Sequence, residues 1–90
     1  MYLHIGGEYS ISTRMIVGIF DLDQITQTKD KGTVFFLSDL EEKSLLEAVS
    51  PDLPRSLVLT LDRAYLSPIS TATLRQRLID QQIDWSITMT

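Results

Sequence analysis

The sequence predicts a small α+β domain in which an antiparallel-rich sheet packs with two helices. The chain has 90 residues, which suits one domain with one small core. Short apolar or alternating runs, bounded by glycine, proline and serine, are typical of strands. Near the carboxyl end, leucines at helical spacing follow a serine that can cap a helix. We therefore expect residues 1–90 to form a single domain.

The first two strands are predicted to form a hairpin. Residues 2–5 alternate, with Leu3 and Ile5 on one face. Gly6-Gly7 accepts positive φ angles, so it suits a tight turn. Residues 9–11 alternate again and are expected to form the returning strand.

The longest apolar run, Met15–Phe20, predicts the central strand of the domain. Such a run is long enough for a strand buried on both faces, and too short for a helix that must bury itself. We expect the strand to extend to about Leu22 and the rest of the chain to pack on it. Gly18 inside the run predicts a bulge or a close approach of another backbone.

The middle of the chain allows two interpretations. Residues 24–32 are polar and lack periodicity, which predicts a connecting loop. In the first interpretation, residues 34–37 form a strand and residues 39–49 form a helix. Ser38 would cap that helix, and Glu41 would complete a capping box, so local signals favour this interpretation.

In the second interpretation the order is reversed. A helix begins near residues 31–33 and ends near Lys43, and a strand follows at residues 45–49. Phe36, Leu37 and Leu40 would share the inner face of this helix.

The second half of the chain predicts a turn followed by a hairpin. Ser50–Pro54 contains two prolines, which cannot donate to a strand ladder. Ser56–Leu61 is predicted to be a strand, Asp62-Arg63 a two-residue connection, and Ala64–Ser67 the hairpin partner.

The last predicted element is a helix from about Thr71 to Asp80. Ser70 is a good N-cap residue, and Leu74 and Leu78 would form the apolar face. Residues 81–90 form a tail that the sequence leaves open, either as an added strand or as a segment docked on a neighbour.

The composition excludes several classes of function. The chain has no cysteine, which excludes a disulfide framework, a thiolate metal site and a thiol nucleophile. No basic segment precedes an apolar stretch at the start, so we expect no secretory signal. The longest apolar run is far shorter than the roughly 20 residues that span a bilayer. We therefore expect a cytoplasmic protein with no membrane partner.

No combination of residues predicts catalysis or a cofactor. His4 is the single histidine and lies on a strand face, where a structural role is the simpler interpretation. Asp21 and Asp23 are two positions apart and could face a hard cation together. Since no third ligand lies nearby in the sequence, we interpret them as a solvated strand end. We expect a protein that is not an enzyme and holds no metal.

Arginines are the remaining candidates for a binding site. The net charge of −4 argues against a uniformly basic surface, so phosphate binding depends on which cations share a face. Taken singly, each arginine is more simply a solvated charge or an ion-pair partner. Arginine is nevertheless the residue suited to bidentate phosphate contact. The five arginines are Arg14, Arg55, Arg63, Arg75 and Arg77.

Several segments, in this order and spacing, resemble the extracellular-matrix regulatory family of RemA and RemB. They are Met1–Gly6, Ser12–Asp21, Asp52–Thr60 and Tyr65–Ser70, with Thr73, Leu74 and Arg77 beyond them. The resemblance covers most of residues 1–78 and is closest to the RemB branch. In the middle of the chain the family pattern is a helix followed by a strand, so the resemblance favours the second interpretation.

This resemblance implies a DNA-binding transcriptional regulator of biofilm-matrix genes, with a fold related to LytTR-type domains. In the RemA branch, subunits close into rings and arginines at the rim contact DNA. The implied partners are therefore double-stranded DNA and further copies of the chain. Arg14 matches one rim arginine, and Arg55 matches a later basic position. With Arg63 and Arg77 they form the predicted phosphate-contacting set.

One departure from the RemA pattern affects this set. RemA-like members carry an adjacent arginine pair in the turn before the long strand, where this chain has Asp52-Leu53. The change replaces two positive charges with one negative charge. Each lost phosphate contact lowers the affinity for DNA and flattens its salt dependence.

An alternative is an oligomeric scaffold of the same family that does not bind DNA. In that case Arg14 would pair with a carboxylate across a subunit interface. Clustering of the arginines on one exposed face would distinguish the two functions.

Overall fold

The structure, a computed structural model, describes residues 1–23 and 31–89. The strands are β1 (Tyr2–Gly6), β2 (Tyr9–Ser12), β3 (Ile16–Asp21), β4 (Leu46–Ala48), β5 (Ser56–Thr60) and β6 (Ala64–Ser67). The helices are α1 (Lys31–Glu42) and α2 (Thr71–Met89), and a 3-10 turn covers Thr13–Met15. The chain therefore has the α+β class that the sequence predicts.

The strands form two sheets instead of the single predicted sheet. β1 and β2 pair antiparallel as a hairpin, and the other sheet has the order β3-β5-β6-β4. In the larger sheet, β3 and β6 both run antiparallel to β5, while β4 runs parallel to β6. The hairpin does not extend this sheet, so it forms a separate layer against it.

Two hydrophobic clusters lie on opposite faces of the four-stranded sheet. One cluster includes Val58 and joins the sheet to the hairpin and α2 through Leu3, Ile5 and Leu74. The other includes Leu57 and joins the sheet to α1. Consecutive residues of β5 face opposite sides, so one strand supplies both clusters.

The prediction that Met15–Phe20 is the central strand is wrong. β3 is an edge strand, with Val17 60% and Phe20 44% exposed. The central strand with burial on both faces is β5, in which Leu57 is 2% and Val58 0% exposed. An apolar run indicates which residues avoid water, but it does not show how many neighbouring strands there are. The predicted bulge at Gly18 is confirmed by a register shift between Ile16 and Gly18.

The turn of the first hairpin requires glycine, as the sequence predicts. Gly6 has φ 122° and Gly7 has φ 54°, angles that glycine adopts without steric cost. A Cβ atom on Gly7 would lie 2.7 Å from the backbone oxygen of Val49. The hairpin therefore lies directly against the chain that follows β4.

The second interpretation of residues 33–49 is confirmed, because helix α1 precedes strand β4. The helix ends at Glu42, and Ser44 beyond it has φ 58°. The N–H of Leu45 donates to the Leu40 carbonyl at 2.9 Å. This left-handed ending turns the chain into β4. Leu37 and Leu40 pack inward, but Phe36 is 42% exposed, so its predicted place on the inner face is wrong.

The predicted loop at residues 24–32 ends earlier than expected. Residues 24–30 lie outside the described residues, and residues 31 and 32 already belong to α1. The predicted strand Ser56–Leu61 ends at Thr60, so the following connection includes Leu61 as well as Asp62-Arg63.

Helix α2 begins where the sequence predicts and continues well past Asp80. The Ser70 hydroxyl accepts a hydrogen bond from the Thr73 N–H at 3.2 Å, which confirms the N-cap. Leu74 is fully buried against the hairpin. The helix ends at Met89, so residues 81–89 of the tail are helical. Within residues 1–23 and 31–89, no helix is long and apolar enough to cross a lipid bilayer.

Ser67 provides a test of how the layers are joined. Its buried hydroxyl donates to the Ile5 carbonyl of β1 and accepts from the Ile69 N–H at 3.1 Å. We expect Ser67→Ala to lower the free energy of unfolding by about 1–3 kcal/mol, because two buried backbone groups lose their partner. Urea unfolding measures this change.

The matched control is Ser10→Ala, at an exposed position on β2. We expect the control to change the free energy of unfolding by less than about 0.5 kcal/mol. Equal unfolding midpoints for the two variants would contradict the role of Ser67.

Candidate nucleic-acid interface

Arg14 lies in the 3-10 turn between β2 and β3, and the backbone on both sides of it is held. The Thr13 N–H donates to the Met1 carbonyl at 3.0 Å, and the Leu61 N–H donates to the Met15 carbonyl at 2.9 Å. The Arg14 side chain is exposed. None of the side chains that the structure describes, those of residues 1–23, 32 and 35–81, forms a hydrogen bond or ion pair with its guanidinium. A backbone held by hydrogen bonds thus presents this cation to solvent.

Arg63 lies in the connection between β5 and β6 and is held by Thr60. The Thr60 hydroxyl accepts the Arg63 N–H at 3.2 Å and donates to the Arg63 carbonyl at 2.7 Å. The Arg63 Nη1 lies 3.3 Å from Glu47 Oε2, with about 40% of each side chain exposed. At this exposure an ion pair contributes little stability and exchanges readily with another anion.

Arg55 precedes β5 and pairs with Asp23, with Nε 3.6 Å from Oδ2. Its backbone bridges two neighbours: its N–H donates to the Ser67 carbonyl at 2.8 Å, and its carbonyl accepts from the Leu22 N–H at 3.1 Å. Both paired side chains are 53% exposed, so this pair is also weak and accessible.

Arg77 projects from α2 towards β1. Its Nη1 donates to the His4 carbonyl at 2.8 Å and lies 3.4 Å from His4 Nδ1. His4 Nε2 lies 3.0 Å from the Gly7 carbonyl, so the neutral ring with hydrogen on Nε2 satisfies both contacts. Arg77 therefore links α2 to β1 through a hydrogen bond. His4 takes part in contacts within the hairpin and with α2, which agrees with the structural role that the sequence predicts.

The fold brings two of the four predicted arginines to one end of the sheet. Arg14 precedes β3 and Arg63 follows β5, and these antiparallel strands place both at the same end. Arg55 lies at the other end of β5, about 17 Å away for a five-residue strand. Arg77 lies on the helix and hairpin layer. The four residues therefore do not form one compact cluster within a single subunit.

Arg75, which the resemblance does not assign, is a further exposed cation. It lines a notch of about 440 Å³ between α2 and β3, together with Ile19, Phe20 and Asp21 and the first residues of α2. Within the described part of the chain, no carboxylate forms an ion pair with Arg75. The sequence shows its charge but not its position beside the edge strand.

Asp21 and Asp23 do not form a cation site with a third acid. Asp21 Oδ1 accepts the Asp23 N–H at 2.9 Å, and Asp23 pairs with Arg55. Among the described side chains of residues 1–23, 32 and 35–81, no three acidic or histidine side chains are grouped so as to hold a metal ion.

A tyrosine–glutamate–arginine cluster adjoins Arg63. The Tyr9 hydroxyl donates to Glu47 Oε1 at 2.8 Å, while Glu47 Oε2 faces Arg63. The Tyr9 and Tyr65 rings lie 6.0 Å apart at a tilt of 56°. The hydrogen bond to Glu47 and its negative charge raise the pKa of Tyr9, whereas burial is the main cause that raises the pKa of Tyr65. The cluster thus fixes the position of Glu47 beside Arg63.

Comparison with known proteins identifies a relative of this chain. No family model matches the chain. The chain is 35% identical over 80 residues to Extracellular matrix regulatory protein B of Bacillus subtilis (strain 168). The match covers 86% of this chain and 89% of that protein. The chain belongs to the RemA/RemB family.

This RemA/RemB-family chain places Asp52-Leu53 in an exposed turn. The Asp52 N–H donates to Ser50 Oγ at 3.2 Å, and Leu53 is 82% exposed. The turn leads directly into β5, so it lies at the Arg55 end of the sheet and away from Arg14. This turn is therefore accessible but carries no positive charge.

Glu47→Gln tests whether the Glu47 carboxylate, which lies beside Arg63, raises the pKa of Tyr9. The pKa of Tyr9 is raised from its ordinary value of 10.0 chiefly by Glu47. We expect the variant to return the Tyr9 pKa towards that value, because the negative charge is removed. NMR titration of ring-labelled tyrosines measures each pKa separately.

Tyr65 is the internal comparison: burial is the first cause of its raised pKa and the charge of Glu47 a smaller one, so we expect its pKa to fall less than that of Tyr9. Since the folded pKa of Tyr9 lies above the unfolded value, its contribution to stability is complete below about pH 10. That contribution is lost as the pH rises through the folded pKa. A Tyr9 titration that does not respond to the variant would contradict this assignment.

Proposed function

We propose that this chain is a DNA-binding transcriptional regulator of extracellular-matrix genes. It acts in the cytoplasm as a homo-oligomer that contacts the phosphate backbone through arginines. Its family membership supports a regulatory role, because its relative is named an extracellular matrix regulatory protein. A LytTR-like fold and a ring-shaped assembly that controls biofilm genes are further parts of the proposal.

The observation that carries the proposal is the exposed guanidinium of Arg14. Its backbone is fixed by the Thr13–Met1 and Leu61–Met15 hydrogen bonds, and its side chain is exposed. A preorganised cation with no competing partner among the described side chains of residues 1–23, 32 and 35–81 is suited to a phosphate oxygen. Arg63 lies at the same end of the sheet and can exchange its weak contact with Glu47 for a phosphate.

One subunit offers too few cations to bind DNA tightly. The net charge of −4 opposes approach to DNA, and the Asp52-Leu53 turn adds no positive charge. Several copies in one assembly raise the effective concentration of Arg14 at neighbouring phosphates without adding a new kind of contact. Oligomerisation is therefore the part of the proposal that makes weak arginine contacts sufficient.

The alternative of a scaffold without DNA binding is favoured by a different observation. Arg55, Arg63 and Arg77 each contact a neighbour within their own chain. If these contacts persist in solution, they leave Arg14 and Arg75 as the exposed arginines with no ion-pair partner among the described residues. The DNA-binding measurements below distinguish the two functions.

Arg14→Ala is the direct test of DNA contact. We expect weaker binding and a smaller salt dependence, because each lost phosphate contact lowers the slope of log K against log salt by about 0.9. Fluorescence anisotropy with a short DNA duplex at several salt concentrations measures both quantities.

The matched control is Lys43→Ala on α1. Lys43 is exposed and pairs with Asp39 at 3.0 Å, so the variant also removes one positive charge from the surface. We expect the control to leave the slope unchanged. If Arg14→Ala and the control have the same slope, Arg14 does not contact phosphate. If the unmodified chain is oligomeric but does not bind DNA even at low salt, the result supports the scaffold function.

The turn before β5 provides a gain-of-function test. We expect Asp52→Arg combined with Leu53→Arg to tighten DNA binding and to steepen the salt dependence, because two cations replace one anion at an exposed site. The same anisotropy titrations measure this change. An unchanged slope would show that this turn does not face DNA.

A further inference from the structure

Leu61 is an apolar residue at the end of the larger sheet that carries Arg14 and Arg63. It follows β5 in the connection to β6, and it is 70% exposed. Its N–H donates to the Met15 carbonyl at 2.9 Å, which ties it to the turn that holds Arg14. A leucine at this exposure makes little apolar contact with its own chain, so its side chain is accessible to a partner.

The connection that carries Leu61 is held by Thr60, the last residue of β5. The Thr60 N–H donates to the Arg63 carbonyl at 2.8 Å, and its buried hydroxyl accepts the Arg63 N–H at 3.2 Å. Asp62 Oδ1 lies 2.9 Å from the same hydroxyl, so this carboxylate is turned back towards β5. Because these contacts and the Met15 bond already order the backbone, presenting Leu61 to a partner costs little further ordering.

Leu61 lies between the two arginines in the order of the strands. β3, β5 and β6 are neighbours, and their antiparallel pairing brings the start of β3, the end of β5 and the start of β6 together. Arg14 precedes β3, Leu61 follows β5 and Arg63 precedes β6. Two strand spacings of about 4.8 Å separate the backbones of the arginines by roughly 10 Å. This end of the sheet therefore presents an apolar residue with a cation on each side.

We infer that Leu61 inserts between two base pairs from the minor groove of DNA, while Arg14 and Arg63 contact the phosphates on either side. The minor groove of B-DNA is about 6 Å wide, so a single side chain enters it where a helix does not. Arginines with backbones roughly 10 Å apart can reach the two strands that border such a groove. Leucine is one of the apolar residues that partly unstack a base step in this way.

The insertion provides a sequence preference that the arginines do not. Phosphate contacts position a protein on DNA, but they carry no direct sequence information. Pyrimidine–purine steps such as TA unstack more easily than the stiff steps of an A-tract. A leucine that must open a base step therefore favours sites that contain a TA step.

This inference rests on the proposed DNA-binding function and specifies which feature of the DNA that surface recognises. Arginine contacts with phosphate depend on salt, because they release counterions. Insertion of the uncharged Leu61 side chain releases none. The two kinds of contact can therefore be lost separately and measured separately.

The test uses a short duplex in which 2-aminopurine replaces the adenine of a central TA step, since the fluorescence of this base rises when it loses its stacking. We expect the unmodified chain to raise the fluorescence at low salt. We expect Leu61→Ala to abolish this rise and to bind the duplex about tenfold more weakly, because most of the inserted apolar surface is removed. The salt slope of this variant should remain that of the unmodified chain.

The matched control is Leu53→Ala, which truncates a leucine that is 82% exposed in the turn before β5. We expect the control to retain both the affinity and the fluorescence rise. A second duplex replaces the TA step with an A-tract. The unmodified chain should bind this duplex more weakly than the TA duplex, whereas Leu61→Ala should bind the two equally.

Salt-dependent binding without a fluorescence rise would overturn this inference and leave the arginine contacts standing. The same conclusion would follow if Leu61→Ala and Leu53→Ala behaved alike, or if the unmodified chain bound the two duplexes equally. An unmodified chain that does not bind DNA at low salt would overturn both this inference and the proposed DNA-binding function.

Discussion

The fold depends on the burial of β5 on both of its faces. Leu57 faces α1 and Val58 faces the hairpin and α2, so one five-residue strand joins the two hydrophobic clusters. Full burial of each such side chain stabilises the fold by about 1.5–3 kcal/mol. Two buried serines tie the layers together: Ser56 donates to the Ile69 carbonyl at 2.8 Å, and Ser67 donates to that of Ile5. A change in β5 would therefore loosen both layers at once.

The central position of β5 also determines where the cations can act. Because β3 runs antiparallel to β5, Arg14 and Arg63 share one end of the sheet, and Arg55 lies at the other. In the sheet that the structure describes, β3 has β5 as its neighbour and lies at the edge. One end of this sheet therefore carries two exposed arginines, and the other end carries a third.

Charge in this protein has to be considered locally. Part of the negative charge lies in ion pairs, in which Asp23, Asp39 and Glu47 face Arg55, Lys43 and Arg63. Several arginines lie within reach of a carboxylate or carbonyl of the same chain, whereas Arg14 and Arg75 have no ion-pair partner in the described part of the chain. The local electrostatic potential of the surface therefore depends on which cations lack an ion-pair partner, and the composition alone does not show which cations these are.

The sequence by itself determined the local elements, because alternation, turn glycines and helix caps act over a few residues. The first hairpin, the Gly18 bulge, the β5–β6 hairpin and the Ser70 cap were predictable in this way. The resemblance to RemA and RemB favours the observed order, in which α1 precedes β4. Local signals favour the opposite order, a strand followed by a helix. Only the tertiary structure decided that β3 is an edge, that Phe36 is exposed and that Arg55 lies apart from Arg14. These features depend on which strands become neighbours and which faces the helices cover, and those contacts join residues far apart in the chain.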